Sequence, residues 1–140
     1  IVENDPHFAR ILLDMARDKD FKAIVALDGE TGLDLAHEYQ PDAITLDIDL
    51  PGIDGWTVLD RLKHSSATRH IPVHIVSGVD KRQRGLKLGA VSYLEKPVSK
   101  EALDGAFDRI TQFIDELKAK RPTLEAEQRA GQKAHEGQDG

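Results

Sequence analysis

The sequence predicts an α/β fold in which a five-stranded parallel sheet is covered on both faces by five helices. Two observations carry this prediction. Short apolar runs alternate along the chain with segments whose apolar residues recur at helical spacing. The short runs are mainly apolar and do not alternate regularly with polar residues, which is typical of parallel strands buried on both faces. At 140 residues, the chain has the length of one domain with room for a core.

Five apolar runs are predicted to be strands. They lie at residues 1–2, 21–27, 43–46, 72–77 and 91–94. The runs at 43–46 (AITL) and 72–77 (PVHIVS) are typical of buried central strands. Residues 1–2 have the character of the end of a strand. We therefore expect a first strand truncated at the N-terminus, in a fragment of a longer multidomain protein.

Helical segments are predicted between and after these runs. The first opens at Asp5 and Pro6, because Asp is a common N-cap and Pro suits the first helical turn. The second ends before Pro41, since the residue preceding a proline disfavours helix. The fourth is short, polar and weakened by Gly85. The last four helices are predicted at residues 31–38, 56–63, 81–88 and 99 to about 118.

The composition changes after Pro122, where Glu, Gln, Ala, Lys and Gly dominate. We expect a domain at 1–118 and an extension at 119–140, helical at 123–130 and disordered at 131–140. The formal net charge of −6 argues against general nucleic-acid binding. No apolar run reaches the ~18 residues of a membrane span, and no secretory signal is present. The expected location is the cytoplasm.

Polar residues follow four of the five predicted strands. They are Glu3, Asn4 and Asp5 after the first, Asp47 and Asp49 after the third, Ser77 after the fourth and Lys96 after the fifth. Because the carboxyl ends of parallel strands meet at one edge of a sheet, these side chains are expected to converge there. Several oxygen ligands suit Mg²⁺, and lysine and magnesium together bind phosphoryl oxygens. A carboxylate at such a site can attack phosphorus and form an acyl phosphate.

These residues lie in four motifs that resemble the receiver (response-regulator) family of two-component signalling systems. The motifs are VENDP at 2–6, LDIDLPGIDG at 46–55, VSG at 76–78 and YLEKP at 93–97, and the resemblance covers roughly residues 1–118. It implies a flavodoxin-like, doubly wound sheet with strand order 2-1-3-4-5. It also implies a phosphoacceptor domain of a phosphorelay, which receives a phosphoryl group from a phosphohistidine and switches an interaction surface.

The resemblance assigns a role to each site residue. Asp47 matches the phosphoacceptor, Lys96 the phosphate-binding lysine, Ser77 the switch hydroxyl and Tyr93 the aromatic residue that changes rotamer on activation. The peptide between Lys96 and Pro97 matches a cis peptide of the family. A receiver of this kind is not a turnover enzyme, since it only phosphorylates and dephosphorylates itself.

The resemblance also implies a Mg²⁺ site with one departure from the family. Its ligands would be Glu3, Asn4, Asp47 and the main-chain carbonyl of Asp49. The family usually has two acidic residues where this chain has Glu3 and Asn4. Asn4 can ligate through its carbonyl oxygen but carries no charge, which predicts a weaker affinity for Mg²⁺. Asp5 either compensates at longer range or simply caps the helix.

A second departure lies between Ser77 and Lys96, where the 18 intervening residues are fewer than is usual in the family. We therefore expect the fourth helix to be short or irregular. It carries the notable basic cluster of the chain, which consists of Lys81, Arg82, Arg84 and Lys87. This cluster is either a solvated helix face or a contact surface for a partner domain.

Two other functions compete with the receiver interpretation. Asp47-Ile48-Asp49 resembles the nucleophile motif of haloacid-dehalogenase-type phosphatases, but that motif should follow the first strand and here follows the third. A pseudo-receiver, which docks without being phosphorylated, is the second alternative because of Asn4.

The partners expected from the resemblance are a histidine kinase or phosphotransfer domain, with neighbouring receiver or kinase domains in the same chain. The last helix could support a homodimer. No nucleic acid and no membrane contact are expected for this segment. The residues 84–103 also resemble receivers of hybrid sensor histidine kinases, and we expect such a kinase to be the parent protein.

Overall fold

The computed structural model describes residues 1–139, and the side chains of residues 1–120. This part of the chain contains five helices and three strands. In chain order they are α1 (Pro6–Asp18), α2 (Gly29–Tyr39), β1 (Ile44–Leu46), α3 (Gly55–Lys63), β2 (Val73–Ser77), α4 (Arg82–Lys87), β3 (Ser92–Glu95) and α5 (Lys100–Asp139). The predicted α/β class with five helices is confirmed.

The three strands form a parallel sheet in the order β1-β2-β3. Ile44 of β1 lies opposite Val73 of β2, and Ile75 of β2 lies opposite Tyr93 of β3. Every residue of β1 and β2 is buried, as their apolar sequences predict for central parallel strands. Since the strands are parallel, the residues that follow them are brought to the same edge of the sheet.

Two strands were predicted at residues 1–2 and 21–27, but the structure has only isolated bridges there. Val2 forms only isolated parallel bridges, to Ala26 on one side and to Leu46 on the other. The hydrogen bonds are nevertheless of normal length, with Glu3 N donating to Ala26 O and Asp47 N donating to Val2 O, both at 2.9 Å. Because few residues pair before the chain turns into α1, neither side can build a continuous ladder.

Three helices, α1, α2 and α3, begin with aspartate caps. Asp5, Asp28 and Asp54 each accept a hydrogen bond from a main-chain N–H two or three residues further on. For Asp5 the donor is His7 N at 3.0 Å, which confirms the capping alternative. Helix α4 has only 6 residues, as the short spacing between Ser77 and Lys96 predicts.

Two clusters of apolar side chains cover the two faces of the sheet. One combines α2 and α3 with the sheet, and Leu33, Val58, Leu59 and Tyr93 belong to it. The other lies between α1 and α5. Its buried members are Leu12, Met15, Ala16, Leu103, Phe107, Ile110 and Ile114. This arrangement, with helices on both faces, is the one that the apolar strands require.

The last helix is longer than predicted, since α5 continues to Asp139 instead of ending near residue 118. The residues after 118 are rich in Glu, Ala, Gln and Lys, which favour helix, and this explains helical backbone where a disordered tail was expected. Gly140 lies outside the described residues. The division at 118 into a domain and an extension stays a prediction. No helix in the described range combines the length and apolar character that crossing a membrane requires.

Candidate functional site

The side chain of Lys96 joins two carboxylates at the edge of the sheet where the strands end. Its Nζ donates to Glu3 Oε2 at 2.9 Å and Oε1 at 3.1 Å, and to Asp47 Oδ2 at 3.3 Å. Lys96 and Glu3 are 93 positions apart in the sequence. The peptide between Lys96 and Pro97 is cis, as predicted. Three of the predicted site residues are therefore in direct contact.

Both carboxylates are buried, and this controls the electrostatics of the site. The side chains of Glu3 and Asp47 are 2% and 6% exposed, while that of Lys96 is 22% exposed. Burial raises the pKa of the Glu3 carboxyl from 4.5 to about 7; the hydrogen bond from Lys96 opposes this shift and the charge of Asp47 adds to it. Burial alone would lower the pKa of Lys96, but its interactions with Glu3 and Asp47 outweigh that effect and raise it. The site therefore holds too little positive charge for two ionised carboxylates.

Hydrogen bonds from main-chain N–H groups hold the loop that follows Asp47. Asp49 N donates to Asp47 Oδ1 at 3.2 Å, so one carboxylate oxygen is oriented by the loop itself. Gly55 N donates to Ile48 O at 2.8 Å. A Cβ at Gly55 would lie 2.5 Å from Ile48 Cα and closer still to the Asp47 carbonyl oxygen. Glycine at 55 therefore allows α3 to start directly beneath the Asp47 loop, a role that the sequence analysis missed.

Ser77 and Tyr93 meet at the loop after β2. Ser77 is fully buried, and its Oγ accepts a hydrogen bond from Val79 N at 3.2 Å. The Tyr93 ring is buried, and its hydroxyl donates to the Val79 carbonyl. Among the described residues, the Ser77 hydroxyl makes no hydrogen bond with Asp47. The two predicted switch residues thus both hydrogen-bond to the main chain of Val79. Among the described residues, neither hydrogen-bonds to Glu3 or Asp47.

The remaining predicted ligands lie at the rim. Asn4, Asp5 and Asp49 are exposed. Among the side chains that the structure describes, no three His, Cys, Asp or Glu groups lie close enough together to hold a metal ion. A cation site here would need Glu3 and Asp47 to be completed by the Asn4 amide oxygen and the Asp49 carbonyl. All four are oxygen donors of the kind that Mg²⁺ prefers, so the donor chemistry fits that ion.

Phe8 is a second residue that the sequence analysis did not assign to the site. The Lys96 Nζ lies 4.4 Å from the centroid of the Phe8 ring. The sequence offered one signal, since a residue in the first turn of α1 must lie near the end of the preceding strand.

The basic cluster on α4 includes a second cation–aromatic contact. The Arg84 guanidinium lies 4.3 Å from the centroid of the Trp56 ring on α3. Lys81, Arg82 and Lys87 are exposed. Arg84 is exposed as well, so its described contact is the one between its charge and the Trp56 ring. Both interpretations of the cluster, a solvated face or a partner surface, stay predictions.

Comparisons with known proteins show what the chain is similar to. The family model described as "Response regulator receiver domain" matches residues 1–108. A second model, described as "Protein of unknown function (DUF3460)", matches residues 108–135. Response regulator PleD of Caulobacter vibrioides is 39% identical over 104 residues, which are 70% of this chain and 23% of PleD. The chain thus spans less than a quarter of that relative.

Solved structures show the same fold. The receiver domain of the Francisella response regulator 1452 has a TM-score of 0.75 and 27% identity, with 83% of this chain and 94% of that chain covered. The receiver domain of the sensor histidine kinase PA1611 from Pseudomonas aeruginosa, described with magnesium in its active-site cleft, has a TM-score of 0.71, 22% identity and coverage of 81% and 93%. The chain belongs to the response regulator receiver domain family.

Proposed function

We propose that Asp47 accepts a phosphoryl group from a phosphohistidine, as the phosphoacceptor of a two-component signalling system. The observation that carries the proposal is the contact of the Lys96 ammonium with the buried carboxylates of Asp47 and Glu3. An acceptor carboxylate beside a fixed ammonium suits a reaction that brings phosphoryl oxygens to this point. Family membership supports the same assignment.

The transfer itself needs little more than positioning and charge. One carboxylate oxygen of Asp47 attacks phosphorus, so a P–O bond forms while the P–N bond to the donor imidazole breaks. The imidazole leaves with the bonding electron pair and is reprotonated. Lys96 is close enough to Asp47, at 3.3 Å, to stabilise the negative phosphoryl oxygens by a small shift of its ammonium away from Glu3.

We also propose a Mg²⁺ ion held by Glu3, Asn4, Asp47 and the carbonyl of Asp49. The oxygen-only donor set and the shortage of positive charge around two buried carboxylates support this assignment. When bound, Mg²⁺ supplies charge neutralisation for the phosphoryl oxygens. Because Asn4 is uncharged, the affinity is expected to be lower than with an aspartate.

The Asn4 assignment is tested by titrating Mg²⁺ against Trp56 fluorescence in wild type and Asn4→Asp. In water, a carboxylate 4 Å from a doubly charged ion contributes about 2 kcal/mol, so Asn4→Asp should bind Mg²⁺ about thirtyfold more tightly. Equal affinities would remove Asn4 from the ligand set.

The phosphoacceptor role is tested by exposing the protein to acetyl phosphate with Mg²⁺ and measuring its intact mass. Wild type should gain the mass of one phosphoryl group, and Asp47→Asn should gain none. Asp34→Asn, the same chemical change at an exposed position of α2, is the matched control and should behave as wild type. A wild-type protein that gains no mass would favour the pseudo-receiver alternative.

The finer features of fold and context belong to the same proposal. We propose that Ser77 and Tyr93 are the switch residues and that the sheet has five strands in the order 2-1-3-4-5. The bridges of Val2 to Ala26 and Leu46 support that order. We also propose a kinase or phosphotransfer domain as the partner, a hybrid kinase as the parent protein and the cytoplasm as the location. Dimerisation through α5 and a domain boundary near residue 118 are further proposals.

A further inference from the structure

The aromatic ring of Phe8 lies against the ammonium of Lys96. The distance of 4.4 Å from Nζ to the ring centroid is within the ~6 Å range in which a cation is attracted to an aromatic face. Phe8 is in the first turn of α1, shortly after the N-cap Asp5, and this position brings the ring to the edge of the sheet. The ring is partly buried and packs against the cluster between α1 and α5, which holds it in place.

The ammonium therefore has three neighbours of two kinds. Glu3 accepts two hydrogen bonds at 2.9 and 3.1 Å, Asp47 accepts one at 3.3 Å, and Phe8 presents its ring. We infer that Phe8 is a positioning residue, whose ring keeps the Lys96 ammonium within reach of the Asp47 carboxylate during phosphoryl transfer.

The physical reason lies in how the two kinds of contact depend on direction. The hydrogen bonds to Glu3 are shorter than the one to Asp47, so the resting lysine is engaged mainly with Glu3. To reach a phosphoryl group on Asp47, the ammonium must shift away from Glu3 and lose directional hydrogen bonds. The attraction of a cation to an aromatic ring tolerates a shift across the ring face, because it requires only that the cation stay over the face and within about 6 Å of the centroid. Phe8 thus opposes escape of the flexible lysine into water while the ammonium changes partners.

The kinetic test compares Phe8→Leu, which keeps an apolar side chain but removes the ring, with Phe8→Tyr, which keeps the ring. The measured quantity is the rate of Asp47 phosphorylation by acetyl phosphate at saturating Mg²⁺. Phe8→Leu should be about two- to fivefold slower than wild type, and Phe8→Tyr should restore most of the rate. A general packing defect would slow both variants alike, and that result would overturn the inference.

A double-mutant comparison isolates the contact with the lysine. In a Lys96→Ala background, the change Phe8→Leu should have no further effect on the phosphorylation rate, because the cation that the ring positions is gone. The same two- to fivefold loss in that background would show that Phe8 acts elsewhere.

The kinetic arm rests on the proposed function, so an NMR measurement tests the contact separately. The ring current of Phe8 should shift the ε-methylene protons of Lys96 upfield in wild type and Phe8→Tyr, but not in Phe8→Leu. Unshifted protons in wild type would overturn the inference. A wild type with the upfield shift but no phosphorylation would overturn the proposed function while supporting the contact.

Discussion

Glu3 is the residue at which burial and charge conflict most directly. Burial raises the pKa of its carboxyl from the ordinary 4.5 to about 7 in the folded protein. The folded state therefore binds more protons than the unfolded state between these two pH values. Stability consequently falls as the pH rises from about 4.5 to about 7, and the loss is complete above the folded pKa.

This linkage predicts the behaviour of Glu3→Gln. Without divalent cations, the variant should be more stable than wild type by about 1–2 kcal/mol at pH 8, and the difference should vanish towards pH 4.5. Urea denaturation across this pH range, with EDTA present, measures the difference. Glu38→Gln, on the exposed face of α2, is the control and should show no comparable trend. A stability difference for Glu3→Gln that does not change with pH would contradict the linkage.

Gly85 is a position where a single methyl group should matter. A Cβ there would lie 2.7 Å from the Tyr93 ring and 2.9 Å from Ile75 Cδ1, because α4 packs directly on β2 and β3. Gly85→Ala should therefore destabilise the protein by about 1–3 kcal/mol and displace Tyr93. The measurement is urea denaturation, with the near-ultraviolet circular dichroism of tyrosine as a second readout.

Gly105 supplies the matched control, because it is also a helical glycine. A Cβ at Gly105 would meet only the Arg109 Nη1 at 3.5 Å. Gly105→Ala should stabilise the protein by about 0.5–1 kcal/mol, as expected for replacing glycine within a helix. If both substitutions had the same sign, helix propensity rather than the Tyr93 contact would govern position 85.

At the scale of elements, the strands predicted in the middle of the chain are confirmed, whereas those predicted at residues 1–2 and 21–27 are not, because their pairing is short. The runs at 43–46 and 72–77 became β1 and β2, because strands buried on both faces are mainly apolar. The run at 21–27 is equally apolar in places, but its only described partner is the short segment around Val2. Strand formation there depends on a neighbour, which composition alone does not reveal.

At the scale of the whole molecule, the proposed switch connects the Asp47 site to α4 through the loop after β2. Ser77 and Tyr93 both contact Val79 in this loop, and Tyr93 also packs against α4. Phosphorylation that attracts the Ser77 hydroxyl would free the Val79 N–H and disturb the Tyr93 contact, shifting the population of two arrangements.

Hydrogen exchange tests this connection. Phosphorylation should change amide exchange across residues 79–93 in wild type, and Ser77→Ala should remove most of that change while Asp47 is still phosphorylated. An exchange response in Ser77→Ala as large as in wild type would show that the signal bypasses the hydroxyl.

The extent to which the site could be predicted follows from its construction. The sequence predicts that Glu3, Asp47 and Lys96 lie close together, because each follows a strand and parallel strands end at one edge of the sheet. The roles of Phe8 and Gly55 could not be predicted, because they depend on the packing of a ring and on the absence of a Cβ. The Val79 contacts of Ser77 and Tyr93 likewise depend on loop geometry that motifs do not encode.

The central claim is that Asp47 itself carries the phosphoryl group, and chemical mapping tests it most directly. Borohydride reduces an aspartyl phosphate to homoserine, and tandem mass spectrometry of the digested protein locates the converted residue. After treatment with acetyl phosphate and Mg²⁺, we predict homoserine at position 47, and less of it in a Lys96→Ala protein treated for the same time. Homoserine at position 49, or at no position in the wild-type protein, would contradict the account.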